Sequence, residues 1–245
     1  MGSLEGLIRT CKYSFAPNSL GYCGAKDFSV LFERFIKEPS EQLASRVEEA
    51  LHSFVGLHSY LLLIAEHNSL SEFDESVIEA YWLGNSLLKN VPVKAVRELI
   101  EKKFVTLPLR IRQQKACFLK QHAYVQHSFH VLFIQFLTPK VAPLVSNLDK
   151  CIIKWADVLE VKEDKLKVKS IALIHENNEL KLKEKLFNVE NRFIEEPKEG
   201  MLISVHWDNA VEEIGKEQQK NLKKCLLANI ELANAYTTSI QKKQK

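Results

Sequence analysis

The first 147 residues carry apolar side chains at steps of three and four, the spacing of one face of an α-helix. The clearest series is Leu43, Val47, Leu51, Phe54, Val55, His58 and Leu62. This series predicts one long helix that begins at Ser40, and similar patterns predict helices that begin near residues 27, 75, 93, 110 and 124. Residues 1–26 are rich in turn formers and are expected to form a leader without regular structure.

The pattern changes after Leu148, where apolar residues stand in short runs and several runs have period two. Asn209 with Glu212 fits the cap of a short helix, and residues 217–239 predict a final helix. The predicted fold is therefore α+β and multidomain. It has an N-terminal all-α helical bundle (residues 1–147), followed by a small OB-like β-barrel with C-terminal helices (residues 148–245).

Composition narrows the classes of function. The chain has 245 residues, 46% of them hydrophobic, and a net charge of +3, which is ordinary for a globular protein and gives no basic face for nucleic acid. The apolar runs are too short to cross a membrane, and the N-terminus lacks the pattern of a signal peptide, so we expect a cytoplasmic protein. Five scattered cysteines without a Cys-x-x-Cys pair argue against a disulfide framework and a structural zinc site.

Cys151 and His206 open and close the predicted β module. The first and last strands of a small closed barrel are neighbours, so these two residues are expected to meet as a soft metal site with open coordination positions. Asp208 is a candidate to orient the imidazole, and a helix cap is an equal alternative for it. The plain alternative for the pair is a buried apolar thiol beside a polar strand residue.

The segment from Cys151 through Val158-Leu-Glu-Val161, Pro197-Lys-Glu-Gly200 and Val205-His206 to Ala210-Val-Glu-Glu-Ile214 resembles the HypC family of [NiFe]-hydrogenase maturation chaperones. The resemblance covers roughly residues 148–245. It implies that Cys151 and His206 hold iron, as an Fe(CN)2CO fragment. In that family the cysteine is N-terminal, whereas Cys151 is internal.

A second candidate cluster lies in the helical part. His127 and His130 are three residues apart on one predicted helix face, a spacing found in metal sites, and Glu79 is the nearest candidate carboxylate. Glu79, Trp82 and Asn85 share a face, which predicts a polar packing network or, alternatively, a pocket wall facing these histidines. The alternative for the two histidines is that they are hydrogen-bonded core residues.

The whole chain also resembles an uncharacterised prokaryotic family associated with hydrogenase gene neighbourhoods, through residues 14–24, 77–85, 127–130 and 205–208. The leading prediction is a non-enzymatic accessory protein that carries iron transiently and docks on a hydrogenase large subunit or a maturation factor, with no nucleic-acid or membrane partner. The alternatives are a metal- or haem-binding protein or enzyme that uses His127 and His130, and a scaffold without cofactor.

Overall fold

The structure is a computed structural model that describes residues 3–25, 27–120, 123–135 and 141–242. Helices come first. They are α1 (Leu4–Ser19), α2 (Phe28–Lys37), α3 (Glu41–His52), α4 (Val55–Glu66), α5 (Glu75–Trp82), α6 (Val93–Lys103), α7 (Leu109–Phe118), α8 (His127–Phe129) and α9 (Val145–Cys151). A 3-10 helix spans Ser86–Asn90, and α8 continues into a π-helical turn, His130–Ile134. A single helix, α10 (Lys216–Gln241), ends the described chain.

The N-terminal segment is a helix, so the expected leader without regular structure is wrong. Ser3 caps α1 by accepting a hydrogen bond from the backbone N–H of Gly6 at 2.9 Å. The turn formers that suggested a loop lie in the last turn of α1, which contains Pro17, and in the loop beyond it. Burial of one face of α1, including Leu7 and Cys11, outweighs their turn preference.

The long helix predicted from Ser40 is two helices. Ser40 does cap α3, but the chain breaks at Ser53 and Phe54 before α4 begins. The apolar series continues across the break because both helices face the same core. The spacing of apolar residues indicates which face of a helix is buried, but it does not reveal a short break between two helices that bury the same face.

Five strands follow the helices: β1 (Lys154–Lys162), β2 (Lys165–Glu176), β3 (Glu179–Asn191), β4 (Leu202–His206) and β5 (Asn209–Glu213). Their order is β1-β2-β3-β5-β4, and β1 also pairs with β4, so the pairings close on themselves. The sheet is mixed, because β3 and β5 run parallel while the other pairs are antiparallel. The pairing of β1 with β4 brings the neighbourhood of Cys151 beside His206.

The predicted fold class is wrong as stated. The chain has N-terminal helices, a five-stranded mixed sheet and one C-terminal helix, where the prediction has a helical bundle, an OB-like barrel and several C-terminal helices. Residues 209–213 form β5, which replaces the short helix expected there. The error has a physical source. Asn209 follows the two-residue turn of a β-hairpin, and its side chain donates to the Trp207 carbonyl in that turn instead of capping a helix.

Helices and sheet share their apolar core. One continuous cluster of buried residues joins side chains of the helices, such as Tyr60 and Ile100, to the strand residues Leu202 and Val211. Helix α9 spans the predicted domain boundary near residue 147. The functional candidates therefore lie where the two parts of the chain pack together. Within the described residues, none of the helices has both the length and the apolar character that a membrane crossing requires.

Candidate metal centre

His206 ends β4, and a tight turn directs it inward. Trp207 and Asp208 form the two residues of the turn to β5, with φ of 49° and 58°. Two consecutive positive φ values are typical of a type I′ hairpin turn, which normally uses Asn and Gly. A tryptophan in this conformation costs about 1–2 kcal/mol, so the surrounding packing must hold it. The turn places both His206 and Trp207 in the interior.

The ring of His206 is held in one tautomer. Its Nδ1 lies 2.7 Å from the backbone carbonyl oxygen of Tyr13, which can only accept, so Nδ1 carries the proton. In the neutral ring Nε2 then carries the lone pair. This Nε2 is buried and makes no hydrogen bond of ordinary geometry among the described residues, although the Cys151 backbone lies near enough to the ring to oppose the lowering of its pKa by burial. A neutral imidazole fixed through Nδ1 is the usual arrangement of a metal-ligating histidine.

Pro17 supplies the reason why the Tyr13 carbonyl is available. In a regular helix the N–H of residue 17 would donate to the carbonyl of residue 13, but proline has no N–H. Pro17 lies inside α1, so the Tyr13 oxygen is left to accept from His206. A helix irregularity in the sequence thus sets the tautomer of a histidine 189 residues away, since 206 − 17 = 189.

Cys151 ends helix α9 and is buried in the same place. Burial raises the pKa of its thiol well above the ordinary value, and the Trp207 indole N–H acts in the opposite direction by favouring the thiolate. The free thiol therefore stays protonated at neutral pH. A metal ion that binds its sulfur must displace this proton, which links metal affinity to pH.

His127 begins α8 and completes the cluster. Its Nδ1 lies 2.9 Å from the Tyr81 hydroxyl, and its Nε2 lies 3.0 Å from the Cys151 carbonyl oxygen and 3.7 Å from the Cys151 sulfur. In the metal-free protein Nε2–H donates to that carbonyl. To offer Nε2 to a metal the ring must change tautomer, which the Tyr81 hydroxyl allows because a hydroxyl both donates and accepts.

The three side chains form a compact donor set. One ligand atom each of His127, Cys151 and His206 lies within 4.8 Å of the other two. Their exposures are 8%, 4% and 2%. Burial lowers the pKa of His206 to about 4 and that of His127 well below its ordinary value, and the neighbouring His206 and His130 rings lower the pKa of His127 further. Both rings are therefore neutral at physiological pH, as metal ligation requires.

A cavity of about 290 Å³ opens beside the cluster. Its wall includes the three cluster residues, the indoles of Trp82 and Trp207, and the loop residues Tyr22, Cys23 and Gly24. Asn18 holds that loop by donating to the carbonyls of Cys23 and Ala25. At Gly24 the backbone has φ of 71° and a Cβ would overlap the Phe54 ring, so only glycine lets the loop approach this closely.

The other predicted residues lie elsewhere. His130 lines the cavity but is not in the cluster; its Nδ1 lies 3.4 Å from the Tyr60 hydroxyl, and burial lowers its pKa to about 4. Glu79 accepts from Gln218 at 2.6 Å and faces Arg9 at 3.5 Å, so it serves neither histidine. Asp208 pairs with Lys150 at 2.8 Å, and the Tyr13 carbonyl orients His206 in its place.

The sequence treats Cys151–His206 and His127–His130 as rival sites, whereas the structure joins three of these residues in one cluster. The expected pocket wall is also divided. Trp82 packs on His127, with ring centres 4.7 Å apart, whereas Asn85 caps the 3-10 helix and Glu79 lies in the ion pair. The sequence analysis did not find Tyr13 and Tyr81, which hold the two imidazoles. Pro17 inside α1 is a sequence signal for the free Tyr13 carbonyl. The π-helical turn after His127 is a structural signal, since such turns are frequent at functional sites.

A second group with metal-ligating atoms close together lies at the surface and was not anticipated. His52 Nε2 lies 2.9 Å from Glu72 Oε1, and His58 Nε2 lies 2.7 Å from Glu72 Oε2. The two rings are 4.4 Å apart between centres. The expectation of one long helix hid this group, because the break at Ser53 brings His52 and His58 side by side.

Comparison with other proteins gives a family and no activity. A search of curated proteins and a search of solved structures each find no match to this chain. The resemblance to the HypC family therefore stays a prediction. The model of a family of unknown function, DUF6390, matches residues 3–240. Because this match covers nearly the whole chain, the protein belongs to the DUF6390 family.

Proposed function

We propose that this protein binds a transition metal through His127, Cys151 and His206 and acts as a carrier rather than an enzyme. The observation that carries the proposal is the fixed tautomer of His206, a ring on the cavity wall whose buried Nε2 keeps its lone pair and makes no hydrogen bond among the described residues. One thiolate and two neutral imidazoles are a borderline-soft donor set that suits iron, zinc or copper. Three protein ligands leave at least one coordination position open.

The absence of carboxylates favours carriage over catalysis. Neither Asp nor Glu is among the described residues that line the cavity. A hydrolytic metal site normally places a carboxylate or another base beside the metal-bound water. Here the neighbours are mostly indole rings, phenols, a second thiol and apolar side chains, which would shield a reactive cargo from water. The further basic side chains on the described wall are Lys103 and His130, and the His130 Nδ1 atom lies 3.4 Å from the Tyr60 hydroxyl.

The chemistry of binding and release follows from burial. A metal ion on the Cys151 sulfur would displace the thiol proton to solvent. His127 would offer Nε2 with its proton on Nδ1, and this Nδ1–H would donate a hydrogen bond to the Tyr81 hydroxyl oxygen. Release reverses both proton movements. An acceptor protein that offers thiolates would compete with Cys151 for the cargo. Within this chain a second thiol, Cys23, lies on the wall of the same cavity.

Iron is the proposed cargo, and hydrogenase assembly is the proposed setting. Both rest on the resemblance of residues 148–245 to the HypC family, which implies an Fe(CN)2CO fragment and, as partner, a [NiFe]-hydrogenase large subunit or a maturation factor. A metal-binding thiol also needs a reducing compartment, which favours the cytoplasm. The cavity of about 290 Å³ is at the lower limit for ligand pockets and suits a small fragment better than haem.

Metal analysis on protein purified without oxygen from its native host tests the proposal. We expect about one metal ion per chain in the wild type and less than about a tenth of that in Cys151→Ala. Cys225→Ala is the matched control, because Cys225 is equally buried and lies outside the cavity wall. Infrared bands of bound cyanide and carbonyl that vanish in Cys151→Ala would support the hydrogenase setting.

The outcomes separate the alternatives. Metal without such bands would leave a metal carrier of another pathway and would contradict the hydrogenase assignment. A Soret band would favour a haem protein that uses His127 or His130. Equal metal content in Cys151→Ala and Cys225→Ala, including none in either, would refute the proposed site and leave a scaffold.

A further inference from the structure

The three clustered ligands at the cavity have almost no contact with solvent. His127, Cys151 and His206 are each at most 8% exposed. A metal ion that enters or leaves must therefore exchange its ligands inside the cavity. Exchange is easier when a new ligand binds before an old one departs, because an ion without donors in an apolar surrounding is costly. Further ligand atoms on the cavity wall can therefore control how fast the metal moves.

Exposure along the cavity wall falls in three steps. The outermost residues include Val55, Lys103 and Val105, which are exposed and carry neither a thiol nor an imidazole. The innermost are the three buried ligands of the cluster. Between these levels, Cys23 and His130 are partly buried. On the described wall these two residues supply the thiol and the imidazole that lie outside the cluster, and both groups are ligands for a borderline-soft metal.

The loop that carries Cys23 is fastened to the end of α1. The backbone N–H groups of Tyr22 and Cys23 both donate to the Pro17 carbonyl oxygen, at 2.9 and 3.3 Å. The Asn18 side chain donates to the Cys23 carbonyl oxygen at 2.7 Å. These contacts fix the backbone on both sides of the cysteine, so its thiol has a defined place on the cavity wall.

Cys23 lies near the cluster without belonging to it. Burial raises the pKa of both the Cys151 thiol and the Tyr81 hydroxyl, and negative charge on Cys23 raises each of them further. The Tyr81 hydroxyl is also the hydrogen-bond partner of His127. The Cys23 sulfur is nevertheless not one of the three ligand atoms that lie within 4.8 Å of one another. Its position is that of a neighbouring ligand rather than a resident one.

His130 is positioned by the helical core. Its Nδ1 lies 3.4 Å from the Tyr60 hydroxyl, and its ring stands edge-on to the Phe104 ring with centres 5.7 Å apart. Its Nε2 faces Gly56 on the cavity wall, where an added Cβ would come within 3.2 Å of this nitrogen. Burial lowers the pKa of His130 to about 4, so the neutral ring keeps a lone pair for a metal.

We infer that Cys23 and His130 form an outer metal station, a pair of transient ligands between the cavity mouth and the buried cluster. During loading the Cys23 sulfur binds the metal ion and its thiol proton goes to solvent. The bond from the metal to the Cys151 sulfur then forms as the bond to Cys23 breaks, and the Cys151 proton passes to Cys23. The metal keeps its oxidation state, and unloading reverses these steps. This inference rests on the proposed metal-binding function and deepens it.

Exchange kinetics of the full chain test the station, with Co²⁺ as the probe metal and excess dithiothreitol as the acceptor. Stopped-flow absorbance under anaerobic conditions gives the rate of loading and the rate of release. We expect Cys23→Ser to slow both rates by about tenfold or more, which corresponds to a barrier raised by about 1.4 kcal/mol. The equilibrium affinity should stay within about twofold of wild type, because a transient ligand changes the barrier and not the end states. His130→Gln should slow both rates in the same direction.

Cys117→Ser is the matched control, because Cys117 is exposed and does not line the cavity. Both of its rates should stay within about twofold of wild type. A spectroscopic signature adds a second readout. In wild type the thiolate-to-cobalt charge-transfer band should pass through a maximum during loading, while the ion contacts both sulfurs, and this maximum should be missing in Cys23→Ser. If Cys23→Ser does not fold, His130→Gln carries the kinetic test.

The failures are distinguishable. If cobalt loads with a thiolate charge-transfer band but the rates of Cys23→Ser and His130→Gln equal those of wild type, the outer station is refuted and the metal site stands. A loss of equilibrium affinity of about tenfold or more in Cys23→Ser would also overturn the inference, since Cys23 would then be a resident ligand. If cobalt does not load into the wild type, the proposed function fails and the outer station fails with it.

Discussion

Two groups of metal-ligating side chains occur in the described residues, and they differ in what they leave unsatisfied. In the surface group the Nε2 atoms of His52 and His58 each face one oxygen of Glu72, so these atoms already have partners. In the buried group His206 is fixed by a carbonyl at Nδ1, and its Nε2 makes no hydrogen bond of ordinary geometry with the described residues. Proximity of ligand atoms is common to both, whereas an unmet hydrogen-bonding demand marks only the buried group.

The physical cause of the difference is solvent. At the surface water satisfies whatever the protein does not, so a His–Glu group needs no further ligand. In the interior every donor must find a partner within the fold. The comparison teaches that a candidate site is identified better by its missing partners than by its residue types, and the following predictions test this point.

The largest expected effect is on the pH dependence of metal affinity. Because burial keeps Cys151 protonated and both imidazoles neutral, binding should release about one proton, so affinity should rise roughly tenfold per pH unit between about pH 5 and 8. Titrations of cobalt at several pH values measure this slope. A slope of two protons would indicate that Cys23 also binds the metal, and a flat profile would contradict thiolate ligation.

The second expected effect is a loss of stability in acid. The pKa of His206 is about 4 in the folded protein and about 6.5 in the unfolded chain, so the unfolded state takes up the proton first as pH falls. The contribution of His206 is fully present above about pH 6.5 and is lost by about pH 4, a change of about 3 kcal/mol.

Urea unfolding at pH 7, 6 and 5 checks this expectation in metal-free wild type and His206→Gln. The variant should lose less stability over this range, because Gln does not titrate. His67→Gln is the control, since His67 lies outside the cluster and its Nδ1 contacts the carbonyl of Leu63 in the preceding helical turn. Parallel curves for wild type and His206→Gln would show that the imidazole is not held neutral by burial.

The third prediction concerns Pro17. Pro17→Ala restores an N–H that competes for the Tyr13 carbonyl, so His206 loses the partner that fixes its tautomer. Loss of such an orienting contact weakens metal binding about tenfold or more, while helix α1 should not lose stability. Nitrogen chemical shifts of the His206 ring and a metal titration measure the two effects. An unchanged tautomer in this variant would remove Pro17 from the explanation. Pro92→Ala, outside the site, serves as the control.

The smallest expected effect is at the surface group. Glu72→Gln removes the charge that both rings face, and we expect a loss of about 1 kcal/mol or less in the free energy of unfolding. Affinity for cobalt at the buried group should not change. Thermal unfolding and the cobalt titration give both values. A large loss of cobalt binding in this variant would place the principal metal site at the surface and reverse the comparison.

The sequence indicated a good part of the local structure. Helix starts at Ser40 and Asp74 follow from capping side chains, and the change from helical to strand periodicity occurs near residue 148 as expected. The predicted architecture was wrong, because Asn209 begins strand β5 of a hairpin and because the expected N-terminal leader forms helix α1. Local pattern does not report whether a capping residue is used by a helix or by a turn.

The candidate site, like the fold, was predicted only in part from the sequence. Residue types alone singled out Cys151, His206, His127 and His130, because thiols and imidazoles are few and their chemistry is specific. Only the tertiary structure decided that three of them meet, that His130 does not join them and that Asp208 and Glu79 serve ion pairs. The physical reason is that ligation depends on distances of a few ångströms between residues up to 79 positions apart (206 − 127), which packing fixes and local sequence does not.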